Sequence, residues 1–219
     1  MKLGLRLETV FNLIDECKCV ADVGCDHGKL ACLCLLSGKA KLCVAVDINS
    51  NAIEKAKALA CALNVSSKVE FVICDGLDKV HKKVDTIVIA GIGGKEIIKI
   101  LSRCKDRKES SFIVSPNKNN DELEKWLSLN ADIENEILVR ERDKFYFIYK
   151  FKMGKPYKRQ INNFKMLVNN SKKEFVVDYL KKQKLRIEKI IETKNIDENK
   201  KKELMLRLIN INKNLQSLV

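Results

Sequence analysis

Short apolar runs alternate with segments of helical period from the beginning of the chain to about residue 153. The runs 19–23, 42–46, 69–74, 84–90 and 112–115 are rich in Val and Ile, and most end in Asp, Gly or Pro-Asn. That is the pattern of parallel strands buried on both faces. Between them, 30–36, 51–63, 94–103 and 120–129 carry apolar positions at helical spacing and are long enough to serve as crossover helices. Residues 1–14 read as a basic, periodic helix. The last two runs, 133–139 and 145–151, are separated only by the charged link 140–144. A link of that length predicts a hairpin, which would put an antiparallel strand at the edge of the sheet. The order predicts an α/β fold: a mostly parallel seven-stranded sheet with helices on both faces.

The pattern changes near Met153-Gly154-Lys155-Pro156, a cluster that stands out in a chain with nine Gly and two Pro. Beyond it Val176, Leu180, Gln183, Ile187 and Ile190 recur at alternating spacings of four and three, as do Leu204, Leu208, Ile211, Leu215 and Leu218. Two such seams, joined by a polar link in which Asn195 or Asp197 can serve as N-cap, predict an antiparallel helical hairpin. Two regions follow: a sheet domain over 1–153 and a C-terminal helical hairpin over 154–219.

Charge sharpens that division. Of 219 residues, 46% are apolar and 32% charged, a composition for a globular core. The net charge of +13 is unevenly spread: residues 1–153 hold 25 Lys and Arg against 22 Asp and Glu, and residues 154–219 hold 17 against 7. A tail of one sign favours a polyanionic partner. Lys172, Lys173, Lys181 and Lys182 are its candidate contacts, with Lys184, Arg186 and Lys200 to Lys202 on the same outer faces. The nine cysteines are odd in number, and Cys17, Cys19, Cys32 and Cys34 form C-x-C rather than C-x-x-C pairs. No metal site is expected from them, and they read as small hydrophobes in a reducing cytoplasm. No run of 18 apolar residues occurs and no leader pattern opens the chain, so no membrane partner is expected.

Candidate chemistry gathers at strand ends. Asp22-Val23-Gly24-Cys25-Asp26-His27-Gly28 closes the first strand and opens a helix, the place where doubly wound sheets bind ligands. Its glycines are spaced G-x-x-x-G, so the G-x-G-x-x-G pyrophosphate loop of a dinucleotide-dependent oxidoreductase is absent. Asp47, followed by Ile48, closes the second strand where an acidic side chain can accept both ribose hydroxyls. Asp75-Gly76 closes the third, placing a carboxylate that can accept from an adenine amino group. Each alone is equally a cap or a turn residue. Together they describe a pocket for S-adenosylmethionine, with Ala90 at the end of the fourth strand.

On these residues the chain resembles the class I, Rossmann-like methyltransferases. More narrowly, Arg6-Leu7, Asp22 to His27, Asp75-Gly76-Leu77, Ala90-Gly91-Ile92-Gly93-Gly94 and Pro116-Asn117 look like the bacterial tRNA (adenine-22-N1)-methyltransferases, the TrmK family, over residues 3–153. The C-terminal hairpin resembles that family's coiled-coil extension. The resemblance implies transfer of a methyl group from S-adenosylmethionine to N1 of adenine 22 in tRNA. Lys29, Ala31 and Ser115 depart from the family, which often has an aromatic, a proline and a glutamine there. A ring nitrogen already carries a lone pair, and the [DNS]-P-P-[YFW] signature of exocyclic-amine enzymes is missing where Ala90 to Gly94 stands.

The roles that follow are expectations. Asp26 is either the carboxylate that meets the developing charge or the cap of a helix beginning at His27. His27 and Lys29 are substrate contacts, or His27 is a helix-start residue. Gly91, Gly93 and Gly94 let backbone approach the base, and Asn117 supplies amide hydrogen bonds. Arg6 meets a carboxylate or a phosphate. Two other readings stay open: a methyltransferase of a non-RNA substrate, and a non-catalytic RNA-binding protein with a vestigial pocket. A monomer is expected.

Overall fold

A computed structural model describes residues 2–81, 83–104, 106–154, 163–192 and 196–218. The chain divides into two compact units, Met1–Ile161 and Asn162–Val219.

The first unit is built on seven strands: β1 (Cys17–Val23), β2 (Ala40–Asp47), β3 (Val69–Ile73), β4 (Thr86–Ala90), β5 (Ser111–Ser115), β6 (Ala131–Glu141) and β7 (Lys144–Met153). Their order in the sheet is β3-β2-β1-β4-β5-β7-β6. The first five are parallel. The hairpin enters with β7 against β5, antiparallel, and β6 outside it. The antiparallel strand thus lies one place in from the edge, because the apolar β7, buried from Phe147 to Phe151, fills the space beside β5 and leaves the alternating β6 outermost. The turn is also tighter than the link 140–144 suggests: both strands run into it and Arg142 takes a left-handed conformation.

Helices α1 (Leu5–Leu13), α2 (Lys29–Leu36), α3 (Ser50–Ala62), α4 (Gly94–Arg103) and α5 (Asn120–Asn130) belong to this unit. Central strands supply Val20, Val44, Val88 and Ile113 to the core, all fully buried. Every cysteine except Cys17 and Cys61 is buried among such side chains, and none is in a disulfide among the described residues. Parallel pairing brings the C-terminal ends of β1, β2, β4 and β5 to one rim, with Val23 opposite Val46 and Ile89, and Ala90 opposite Ser115.

Helix α1 is closed at both ends by side chains from distant segments. Its cap position, Gly4, offers no side chain, and the carboxylate of Glu141 accepts from the Arg6 amide at 3.2 Å instead. A Cβ at position 4 would fall 2.2 Å from that carboxylate. At the other end Lys39 Nζ donates to the carbonyls of Phe11, Asn12 and Ile14 at 2.9, 3.3 and 2.6 Å. Orphaned amides and carbonyls at helix termini need such partners.

The second unit holds α6 (Asn163–Asn170), α7 (Lys173–Ile191) and α8 (Glu198–Ser217). Val176, Leu180 and Ile187 of α7 and Leu204, Ile211 and Leu218 at α8 are buried, whereas Ile190 is exposed. Asp197 caps α8, its Oδ1 accepting from the amides of Asn199 and Lys200, both at 3.0 Å. Asn195, Lys155 and Pro156 lie outside the described residues. Helix α6 has no counterpart in the hydropathy pattern, because its apolar stretch is a single turn and a half between asparagines.

Candidate functional site

Three left-handed residues shape the loop after β1: Gly24 (φ +74°), Asp26 (φ +48°) and Gly28 (φ +66°). The amides of Gly24 and Cys25 both donate to the Val46 carbonyl, at 2.8 and 3.0 Å, which ties this loop to the end of β2. Gly28, and neither Asp26 nor His27, precedes α2 as its cap. The structure therefore corrects the expectation of a helix starting at His27: Asp26 is not a helix cap. Its left-handed backbone sits two residues before the cap, and its carboxylate is turned to the His27 ring, with Oδ2 2.6 Å from Nδ1. Gly28 serves packing, since a Cβ there would lie 2.8 Å from the Ala56 Cβ on α3.

Two cavities adjoin at the rim, with Gly24, Asp26 and Gly91 bordering both. The first, of about 350 Å³, is walled by Asp22, His27, Lys29, Ala90, Asn117 and, from α1, Arg6 with Leu7. The second, of about 500 Å³, is walled by Asp47, Ile48, Asp75, Gly76, Ile92 and Ile100. Gly28, Gly93 and Gly94 border neither. Gly93 caps α4, and Gly94 lies flush against the chain before α5: a Cβ on it would come 2.2 Å from the Asn119 carbonyl oxygen. These two glycines fix how the loop after β4 meets the loop after β5.

Asp22 lies within β1, is 5% exposed, and its Oδ2 has no hydrogen-bond partner among the described residues. Burial pushes its carboxyl up to about 7; a backbone hydrogen bond from Ala31 pulls the other way, while the nearby Asp47 and Asp26 add to the rise. A buried acceptor with nothing to accept from is suited to a donor or cation entering the cavity. Asp47 is already engaged: Oδ2 accepts from the Asp26 amide at 3.1 Å and Oδ1 from the Asn49 amide at 2.9 Å. A carboxylate has about four lone-pair sites, so it retains acceptor capacity for a ligand. Ile48 is exposed over the second cavity.

At the far side of the first cavity, Arg6 Nη1 donates to Asn117 Oδ1 at 2.6 Å, and Asn117 Nδ2 donates to the Gly91 carbonyl. The Arg6 guanidinium also lies 5.0 Å over the Tyr146 ring. Asp75 is held by Arg103 of α4, 3.0 Å from Nη2 to Oδ2, and the other prong of that guanidinium reaches Asp78 at 3.1 Å. Arg103, Tyr146, Glu141 and Ile100 were not legible as site residues, since nothing in their sequence neighbourhoods distinguishes them from ordinary helix and strand positions. Lys172, Lys173, Lys181 and Lys182 are exposed on the second unit, at and along α7, where Lys172 Nζ lies 5.5 Å over the Phe175 ring. Among the described residues no group of three or more His, Cys, Asp or Glu could hold a metal ion, and no helix is long and apolar enough to cross a membrane.

A family of methyltransferase domains matches residues 3–149. A putative tRNA methyltransferase of Mycoplasma genitalium is 34% identical over 166 residues, 70% of this chain and 72% of that one. The tRNA (adenine(22)-N(1))-methyltransferase of Bacillus subtilis is 31% identical over 150 residues, 67% of this chain and 63% of that one. Among solved structures, TrmK of M. capricolum, in complex with S-adenosyl-homocysteine, superposes with a TM-score of 0.84 at 23% identity over the whole of both chains, and so shares the fold.

Proposed function

The chain belongs to the family of methyltransferase domains, and from that premise we propose that it is an S-adenosylmethionine-dependent tRNA methyltransferase acting on N1 of adenine 22. One observation carries the reading: Asp47 and Asp75 border one cavity, Asp22 and His27 border the other, and Gly24, Asp26 and Gly91 stand between them. Relatives named for tRNA methylation support the substrate class, and the B. subtilis relative supports the position.

The residues fit the cofactor. Among the described residues Asp22 Oδ2 lacks a partner, where an ammonium or sulfonium would be welcome. Gly24 presents no side chain between the cavities, and the second cavity offers acidic acceptors at Asp47 and Asp75 with apolar Ile48 and Ile100 for a nucleoside. When bound, S-adenosylmethionine supplies an electrophilic methyl group on a sulfonium.

The work left to the chain is to admit the adenine, orient its N1, and deal with the positive charge that the base acquires. The Asp26 carboxylate, bonded to His27 at the border of the two cavities, accepts the proton that the 6-amino group must lose. Asn117, held by Arg6 and Gly91, keeps one N–H and one lone pair for the edge of the base. Leu7 and Leu30 line the same space and exclude water. N1 lies on the pairing edge, so the base must be unpaired to enter. Residues 1–153 carry this chemistry, and the hairpin over 154–219 holds tRNA phosphates through Lys172, Lys173, Lys181 and Lys182. The chain acts as a monomer in the cytoplasm.

Incubation with labelled S-adenosylmethionine and unmodified tRNA, followed by digestion, should yield labelled 1-methyladenosine, and a transcript with guanine at position 22 should yield none. Label in neither RNA, or equal label in both, would refute the substrate or the position.

A further inference from the structure

Arg103 closes the last turn of α4, outside both cavities, yet it touches the residue best placed to read a nucleobase. Its guanidinium uses one prong on Asp75 Oδ2 at 3.0 Å and the other on Asp78 Oδ2 at 3.1 Å, with a longer contact of 3.4 Å to the Asp75 carbonyl. The ion pair to Arg103 is made through Asp75 Oδ2, the second oxygen of a carboxylate that borders the cavity. All three side chains are substantially exposed, so the ion pairs themselves add little to stability. What a planar fork between two carboxylates does supply is direction: it fixes the rotation of each carboxylate it holds.

The surroundings point the same way. Gly76 has φ +63°, and a Cβ on it would meet Arg103 Nη2 and Ile100 Cγ1 and Cγ2, each at 3.1 Å. The missing side chain is what lets the guanidinium reach back over the loop after β3. Ile100, one turn before Arg103 on α4, forms an apolar wall of the same cavity, and Asp75 its acidic edge.

We propose that Arg103 is a positioning residue for the adenine of the cofactor: by engaging one oxygen of Asp75 it presents the other to the adenine amino group, and so sets the preference for adenine over a base with a keto group at that place. The inference rests on the cofactor reading given above. A carboxylate accepts from an amino group and is repelled by a carbonyl oxygen, so discrimination depends on the free oxygen being held at the ring edge.

Calorimetry with two neutral-sulfur ligands tests this without turnover: S-adenosylhomocysteine and its deaminated counterpart, S-inosylhomocysteine. The wild-type chain should prefer the adenosyl ligand. Arg103→Gln should raise the Kd for S-adenosylhomocysteine about tenfold, the order expected for a lost charged hydrogen bond, and leave that for S-inosylhomocysteine unchanged. Arg103→Lys, which keeps the charge and loses the fork, should lose less of the preference. Asp75→Ala should abolish it, and adding Arg103→Gln to that variant should change nothing further. Equal weakening of both ligands, or full preference retained in Arg103→Gln, would overturn the role of Arg103 while leaving the cofactor reading intact. A wild-type chain that binds neither ligand would overturn both.

Discussion

Arg6 and Asn117, separated by 111 positions in the chain, meet across the first cavity in a hydrogen bond of 2.6 Å. The guanidinium comes from the opening helix and the amide from the loop after β5, so the bond ties two walls of the cavity together. It also sets the amide: with Oδ1 engaged by Arg6, Nδ2 is directed to the Gly91 carbonyl.

Arg6→Ala and Asn117→Ala should each lower kcat by at least tenfold while changing cofactor Kd little, because they loosen the wall facing the base. In a double-mutant cycle the pair should couple by roughly 0.5–3 kcal/mol. Single-turnover rates and calorimetry on the four proteins check this, and strictly additive effects would sever Asn117 from Arg6.

Asp26→Ala should reduce methyl transfer by roughly 10²–10⁴-fold, the usual contribution of a positioned acid or base, with S-adenosylhomocysteine still bound. His27→Ala should cost less, since it removes the group that aims the carboxylate and not the carboxylate itself. Turnover unchanged in Asp26→Ala would remove that residue from the chemistry.

Glu136 is a buried carboxyl on β6 whose Oε2 has no hydrogen-bond partner among the described residues, and burial, aided by Glu124, pushes it from its ordinary 4.5 up to about 8. The folded state therefore holds this proton more tightly than the unfolded state. Its contribution is fully present below pH 4.5, declines as pH rises from there, and is lost above about 8. Glu136→Gln should flatten this dependence and raise the Tm relative to wild type at pH 8.5, with a smaller difference at pH 5. Thermal melts across that range decide it, and parallel profiles for the two proteins would refute the account.

Alanine at Lys172, Lys173, Lys181 and Lys182 together should weaken tRNA binding and make its dependence on salt shallower, by up to about 0.9 in log–log slope for each phosphate that is no longer neutralised. Cofactor affinity should not move. Filter binding at several salt concentrations measures both, and an unaltered slope would assign the basic face another role.

The parallel sheet was legible because its central strands are apolar on both faces, and their ends were legible because Asp, Gly and Pro interrupt those runs. Position within the sheet was not: that β7 and not β6 lies against β5 depends on which strand has the fuller apolar face, a comparison across the hairpin. At the rim, Asp22, Asp26, Asp47 and Asp75 were singled out by their places at or just after strand ends, and all four border the cavities there. The partner of Asp75 and that of the Arg6 amide were hidden, because Arg103 and Glu141 are charged residues on helix and strand ends whose significance arises only when distant segments meet. Gly93 and Gly94 looked like part of the pocket and turn out to shape the joint beside it.

The opening helix borrows its N-terminal closure from a residue 135 positions downstream of Arg6. During synthesis, then, the segment that lends Arg6 and Leu7 to the wall of the first cavity emerges early and waits. The Arg6 amide finds Glu141 only after the sixth strand has left the ribosome, so a nascent or truncated chain lacking that strand has the acidic strand ends but lacks this bond. That wall of the first cavity is thereby fastened only when nearly all of the sheet has been made.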